Sequence, residues 1–156
     1  MDHRGETQST ATRGGSRHPS FCVFERLRAA GLRPTRQRVA LCSLIFGAGD
    51  RHLSAEDLHE EAHKAGEPVS LATVYNTLHQ FTDAGLVRPL SAEGQRTYFD
   101  TNTSDHHHFF VEAENMMIDI PDGAISVGAL PEPPEGMEIV NVDVVVRLRR
   151  KAAPVA

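Results

Sequence analysis

Apolar residues recur at helical spacing along the first half of the chain and gather into short, strand-like runs in the second. Residues 21–30 place Val23, Phe24 and Leu27 on one helical face and stop before Gly31, a natural helix terminator. After Arg33-Pro34, Thr35 is positioned to cap a second helix with apolar Val39, Leu41, Leu44 and Ile45, ending near Gly47. A third begins in HLSAEDL, where Ser54 is the N-cap, Asp57 completes a capping box and Leu53 with Leu58 forms a hydrophobic staple. It runs to Ala65 and stops at Gly66. VSLATVYNTLHQF predicts a fourth helix, capped by Ser70, with Leu71, Val74, Leu78 and Phe81 as its buried stripe and Gly85 closing it. Two short helices joined by a turn containing Gly66 and Pro68 fit a helix-turn-helix. LVRPL, SAEGQ and RTYFD then read as a β-hairpin turning at Gly94, which makes the unit a winged helix.

In the second half, HHHFFVEAE and NMMIDI read as strands with a turn at Glu114-Asn115, and MEIVNVDVVVRLRR as a third strand. The intervening PDGAISVGALPEPPEG has room for a short helix at most and a Pro-rich loop. The predicted fold class is α+β: a polar, disordered tail over residues 1–18, a winged helix-turn-helix over 19–101, a small α/β domain over 102–150 and a tail over 151–156.

Composition narrows the function. The N-terminus has no apolar segment of a secretory signal, and no apolar run reaches membrane length, so a cytoplasmic protein with no membrane partner is expected. Cys22 and Cys42 stand alone and no CxxC occurs, which excludes a cysteine-built zinc site and a disulfide framework. The net charge of -5 argues against a general nucleic-acid coat, but five arginines and no acid lie between Arg26 and Arg38. Residues 101–146 hold nine acids and no Lys or Arg. The front half is thus suited to an anion, the back half to cations.

The outer face of the fourth helix offers Thr73, Tyr75, Asn76, Thr77 and Gln80, and residues 70–82 carry no charge. Such a helix suits the major groove of double-stranded DNA, where amides and hydroxyls read base edges, with the arginine cluster supplying phosphate contacts. Gln95 and Arg96 at the wing tip are placed to touch phosphate. The plainer reading is a solvated polar face. His59, Glu60 and His63 spell HEEAH, the spacing of zinc proteases, but a third ligand and a cleft are missing, so no enzyme is expected.

SDHHHFF is the remaining oddity. In an extended chain His106 and His108 point one way, Asp105 and His107 the other. Clustered imidazoles among acids point to a metal or a metal-bearing cofactor; the plainer reading is a solvated strand end with ordinary hydrogen bonds.

GLRPTRQR, HLSAEDLHEEA, VSLATVYNTLHQFTDAGLV and YFDTNTSDHHHFF together resemble the ferric uptake regulator family of cytoplasmic, dimeric, metal-responsive transcription factors. The resemblance implies a homodimer joined through the C-terminal α/β domain and an AT-rich palindromic operator. It implies base contacts from Tyr75 and its neighbours Ser70, Thr73 and Asn76, and a minor-groove contact from Arg33. It also implies a metal site of His52, Asp100, His106, His108 and Asp119, a set suited to manganese, ferrous iron or zinc. Asp105 and His107 would face a second site that lacks its usual partners, and VEAEN stands where the family's first CxxC falls.

These departures resemble the iron response regulator branch, whose members sense iron through haem and lose DNA binding when haem is bound. That implies haem ligation by His106, His107 and His108, with Phe109 and Phe110 against the porphyrin. The N-terminal Cys-Pro haem motif that some members of the branch carry is absent, His18-Pro19 and Cys22 being all that stand nearby. The expected function is a regulator of iron and haem homeostasis switched by haem and supported by manganese or iron. The alternatives are a directly metal-activated regulator, an HEEAH metalloenzyme and a metal-buffering protein.

Overall fold

The computed structural model describes residues 19–91 and 96–155, with side chains from Val23 onward. The expected tail over 1–18, the wing-turn residues Gly94 and Gln95, the side chain of Cys22 and Ala156 lie outside this set.

Four helices come first: α1 (Pro19–Ala29), α2 (Arg36–Phe46), α3 (Ala55–Lys64) and α4 (Leu71–Asp83). Each start has a local cause. Thr35 Oγ1 accepts the Arg38 amide at 3.3 Å, and Ser70 Oγ accepts that of Thr73 at 3.1 Å. Ser54 and Asp57 form the full reciprocal capping box. The ends of α3 and α4 are closed by left-handed Gly66 and Gly85, where the next amide reaches back five residues, Glu67 to Ala62 O and Leu86 to Phe81 O.

The helices enclose one core of Leu27, Leu41, Cys42, Ile45, Leu58, Val74, Leu78 and Phe81, all fully buried. At roughly 1.5–3 kcal/mol for each large side chain, this packing outweighs the capping terms in holding the helices together. Two faces differ from expectation. Leu71, at the first position of α4, is 36% exposed, whereas Thr77 is 5% exposed and belongs to the buried stripe rather than the outer face. Thr77 lies three residues after Val74 and four before Phe81, so the helical period carries a small polar side chain inward.

A short strand absent from the sequence reading, β1 (His52–Ser54), precedes α3. It pairs antiparallel with β3 (Thr97–Asp100), which also pairs with β2 (Arg88–Ser91), giving the order β1-β3-β2. The second sheet has β4 (His108–Val111) at its centre, β5 (Met116–Asp119) antiparallel on one side and β6 (Val145–Leu148) parallel on the other. A 3₁₀ turn (Glu112–Glu114) and left-handed Asn115 make the β4–β5 reversal. The last strand is four residues long rather than the whole of MEIVNVDVVVRLRR, and residues 121–144 form no helix.

The hairpin strand β3 is two-faced. Phe99 packs with the helices, while Tyr98 turns to the second sheet and joins Leu90, Phe110 and Met117 in a separate core. The Tyr98 hydroxyl donates to Asn115 O at 2.8 Å. The small sheet therefore buries its inner face against the wing rather than owning a core of its own. Among the described residues no helix is long and apolar enough to cross a membrane.

Candidate metal centre and nucleic-acid interface

Strand register builds the centre. Across β1 and β3, His52 lies opposite Asp100; across β4 and β5, His108 lies opposite Asp119. Opposite residues of an antiparallel pair share a face, so each sheet presents one imidazole and one carboxylate toward the other sheet. His106, two residues before His108 in extended chain, joins them. One ligand atom from each of these five residues lies within 4.8 Å of every other. A one-residue slip of either pairing would turn half of the set away.

Three Nε2 atoms face two carboxylate oxygens. Asp100 Oδ2 lies 3.1 Å from His52, 2.9 Å from His106 and 3.1 Å from His108; Asp119 Oδ1 lies 2.9, 3.0 and 3.3 Å from the same atoms. Cation–ligand bonds of about 2.1 Å place neighbouring ligand atoms about 3.0 Å apart at right angles, so the spacing suits one first-row divalent ion. Asp100 is 1% exposed, His108 0% and His106 7%, while the Asp119 side chain remains 41% exposed.

Proton bookkeeping supports a cation. His106 Nδ1 lies 2.7 Å from Ser104 O, and a carbonyl can only accept, so Nδ1 carries hydrogen. In the neutral ring Nε2 is then a bare lone pair aimed at two carboxylates, an arrangement that calls for a second proton or a metal. Burial depresses the His106 pKa, but the Ser104 hydrogen bond and the charges of Asp119 and Asp100 outweigh it, leaving it raised. His52 is raised likewise: burial opposes its charged form, and Asp100, then Asp119, overcome that. For Asp100, burial pushes the pKa up, but hydrogen bonds from His108 and His52 and from the Asn102 amide hold it well below the carboxylate range. The fixed Nδ1–H of His106 is the outer contact a metal-binding imidazole needs. His108 Nδ1 is buried with no hydrogen-bond partner among the described residues, so that ring is oriented by packing and by its Nε2 contact with Asp100.

The other histidines named for a site stand apart among the described residues. His107 turns to the opposite face, where its Nδ1 accepts the Val144 amide at 3.2 Å. In HEEAH, His63 meets Val69 O at 3.2 Å, Glu60 pairs with Lys64, and Glu61 binds Arg51, so the motif is spent on local contacts.

Ser70 and Asn76 are exposed on the α4 side, with Arg33 exposed before α2. Arg38 donates from Nε and Nη2 to Gln80 Oε1 at 3.0 and 2.9 Å, and from Nη1 to Arg33 O at 2.8 Å. That clamp ties α2 to α4 through the Gln80 side-chain oxygen. Thr73, half-buried, is engaged by Ser70 Oγ at 2.9 Å. The Tyr75 hydroxyl donates to Glu56 Oε1 at 2.8 Å, which lowers the Glu56 pKa, and exposed Arg96 adds its charge to the pair. Sequence reasoning missed Gln80's clamp and the Glu56 partner, because no local pattern encodes a contact between helices.

A winged helix whose hairpin shares a histidine–carboxylate cluster with a second sheet defines the class: a DNA-binding regulator equipped for a cation. The profile of the Ferric uptake regulator family matches residues 29–147, and the chain belongs to that family. It is 37% identical over 127 residues to the ferric uptake regulation protein of Pseudomonas aeruginosa, an alignment covering 80% of this chain and 95% of that one. The solved structure of the ferric uptake regulator from Pseudomonas aeruginosa with manganese superposes with a TM-score of 0.64 at 32% identity, over 83% of this chain and 98% of that one. The Vibrio cholerae ferric uptake regulator gives a TM-score of 0.66 at 26% identity, over 81% and 98%. The chain is accordingly a transcriptional regulator of a metal-binding family and not an enzyme.

Proposed function

We propose that this protein is a homodimeric, directly metal-activated DNA-binding regulator of iron homeostasis, with His52, Asp100, His106, His108 and Asp119 holding one manganese or ferrous ion, or zinc. The observation that carries this reading is the convergence of five ligand atoms within 4.8 Å, two from the winged-helix half and three from the second sheet. A divalent cation supplies the positive charge that otherwise requires protons on His52 and His106. Because His52 and Asp100 leave the winged-helix half and the other three leave the sheet, holding all five fixes the wing on the sheet. In a dimer that sets the spacing of two recognition helices on a palindromic operator. The solved relative with manganese supports that choice of ion.

The same reading assigns Arg33, Ser70, Thr73, Tyr75, Asn76 and Arg96 to DNA, with Arg33 at an AT-rich minor groove. It assigns residues 19–101 to DNA binding and 102–150 to dimerisation and sensing. Exposed Met116 and Ile118, on the face of β5 opposite buried Met117, offer an apolar surface to a second copy.

The haem switch through His106, His107 and His108 finds less support in the geometry. His106 and His108 already aim Nε2 at carboxylates inside a buried cluster, and Phe110 is fully buried. The hydrogen bond at His107 Nδ1 puts that ring's proton on Nε2, the nitrogen an iron would need. Separate titrations with manganese, zinc and haem, each followed by binding to an AT-rich palindromic duplex, decide between the two. Manganese is expected to tighten DNA binding and haem to leave it unchanged; a Soret shift with loss of DNA binding, together with indifference to manganese, would overturn the metal-activated reading.

A further inference from the structure

Arg88 opens a row of three residues on one face of the wing sheet. It lies opposite Asp100 in the β2–β3 pairing, and Asp100 lies opposite His52 in the β3–β1 pairing. Side chains in such a row point to the same face. Two members of the row belong to the five-residue cluster; the third carries a guanidinium where a ligand would stand.

The Arg88 side chain is 14% exposed, and its guanidinium makes specific contacts. Nη1 donates to Ser104 O at 3.0 Å, and Nη2 pairs with Asp143 Oδ1. Asp105 adds a looser contact, its Oδ1 3.5 Å from Nη1 with the side chain 91% exposed. Ser104 O is the same carbonyl that accepts the His106 Nδ1–H at 2.7 Å. One oxygen thus receives a hydrogen bond from the wing and another from an imidazole of the cluster. Asp143 sits immediately before Val144, whose carbonyl accepts the His108 amide at 3.0 Å. Arg88 therefore bonds the carbonyl that supports His106 and pairs with the side chain of the residue preceding the one that supports the His108 amide.

We propose that Arg88, anchored by Asp143, is a positioning residue for the metal centre. It fixes the Ser104 carbonyl, which holds His106 in the Nδ1–H form with Nε2 directed at the cation, and it fastens the entry of β6 beside His108. The inference deepens the metal-binding reading and rests on it. A guanidinium suits the task because its planar fork reaches a carbonyl and a carboxylate at once; an ammonium reaches them only as a point charge. Outer contacts of this kind typically change metal affinity by about 10- to 100-fold.

The test is a manganese(II) titration of the full chain against a competing chelator at fixed pH, on wild type, Arg88→Ala, Arg88→Lys, Asp143→Asn and the double variant Arg88→Ala/Asp143→Asn. Arg88→Ala is expected to raise the manganese Kd by about tenfold or more. Arg88→Lys should recover part of the loss, and the double variant should bind no more weakly than Arg88→Ala alone, because the two side chains act as one unit. A merely structural role predicts a lower thermal midpoint with the manganese Kd of the folded protein unchanged, and that result overturns the proposal. Should Arg88→Ala fail to fold, wild-type affinity in both Arg88→Lys and Asp143→Asn overturns it equally. If wild type binds no manganese, or Asp100→Asn binds it as tightly as wild type, the metal reading itself fails and this proposal falls with it.

Discussion

Asp100→Asn is the perturbation the geometry makes most informative. The side chain is 1% exposed; Oδ1 accepts the Asn102 amide at 2.9 Å, while Oδ2 faces all three imidazoles. Asparagine keeps the size and the Oδ1 acceptor but replaces the anionic oxygen with a neutral amide NH2, which donates and does not accept. Removing one partner from a buried charged set costs about 3–5 kcal/mol. At about 1.4 kcal/mol per factor of ten, manganese affinity should fall by roughly 100- to 5,000-fold. Asp119→Asn provides the contrast, since that carboxylate is 41% exposed and water compensates for part of its loss; a weakening nearer tenfold is expected, in line with charges that remain solvated. Calorimetric or chelator-competition titrations of both variants measure the ratio. If Asp100→Asn binds manganese within threefold of wild type, or if Asp119→Asn is the more damaging change, the buried carboxylate is not the anchor of the site.

The remaining expectations concern pH and assembly. In the chelator-treated protein His52 and His106 have raised folded pKa values, so their contribution is complete below the unfolded value of about 6.5 and is lost as pH rises through the folded values. Asp100, held low, contributes above about 3.8 and loses its contribution as pH falls. The metal-free thermal midpoint should therefore drop between pH 6 and pH 8, whereas manganese stabilises more at pH 8 because the ligands must shed protons; a metal-free midpoint that rises over this window contradicts the proton count. Ile118→Asp, at a 40% exposed position on β5, should weaken dimerisation by about tenfold or more in sedimentation experiments. An unchanged dimer would move the interface off that strand.

Much of the helical half was legible because its signals are local. Caps at Thr35, Ser54 and Ser70 and the Val74–Leu78–Phe81 stripe need only neighbours within one or two turns, and the structure has all of them. Polarity misplaces Thr77 and Leu71 on the helical faces of α4, because packing follows the period. The strand β1 was invisible: three residues, one of them the cap of α3, leave no alternation to detect. MEIVNVDVVV is rich in β-branched residues, yet only Val145–Leu148 pairs, because β4 offers four residues of edge and propensity cannot supply a partner.

The centre itself divides in the same way. The opposed directions of His106 and His107 followed from alternation, and the structure turns the two rings to opposite faces. The nearness of His52 and Asp119 to that strand rested on family resemblance, since it arises from two cross-strand registers that no local pattern contains. Arg88 had no signal at all: its row with Asp100 and His52 exists only once three strands are side by side.

As proposed, one divalent cation joins the winged-helix half to the second sheet through His52, Asp100, His106, His108 and Asp119. Anomalous diffraction from crystals of the manganese-loaded protein tests it most directly. The expected result is one manganese peak per protomer with His52 and Asp100 on one side and His106, His108 and Asp119 on the other, at bond lengths of about 2.0–2.3 Å. A peak elsewhere in the protomer, or one ligated from a single sheet alone, would contradict it.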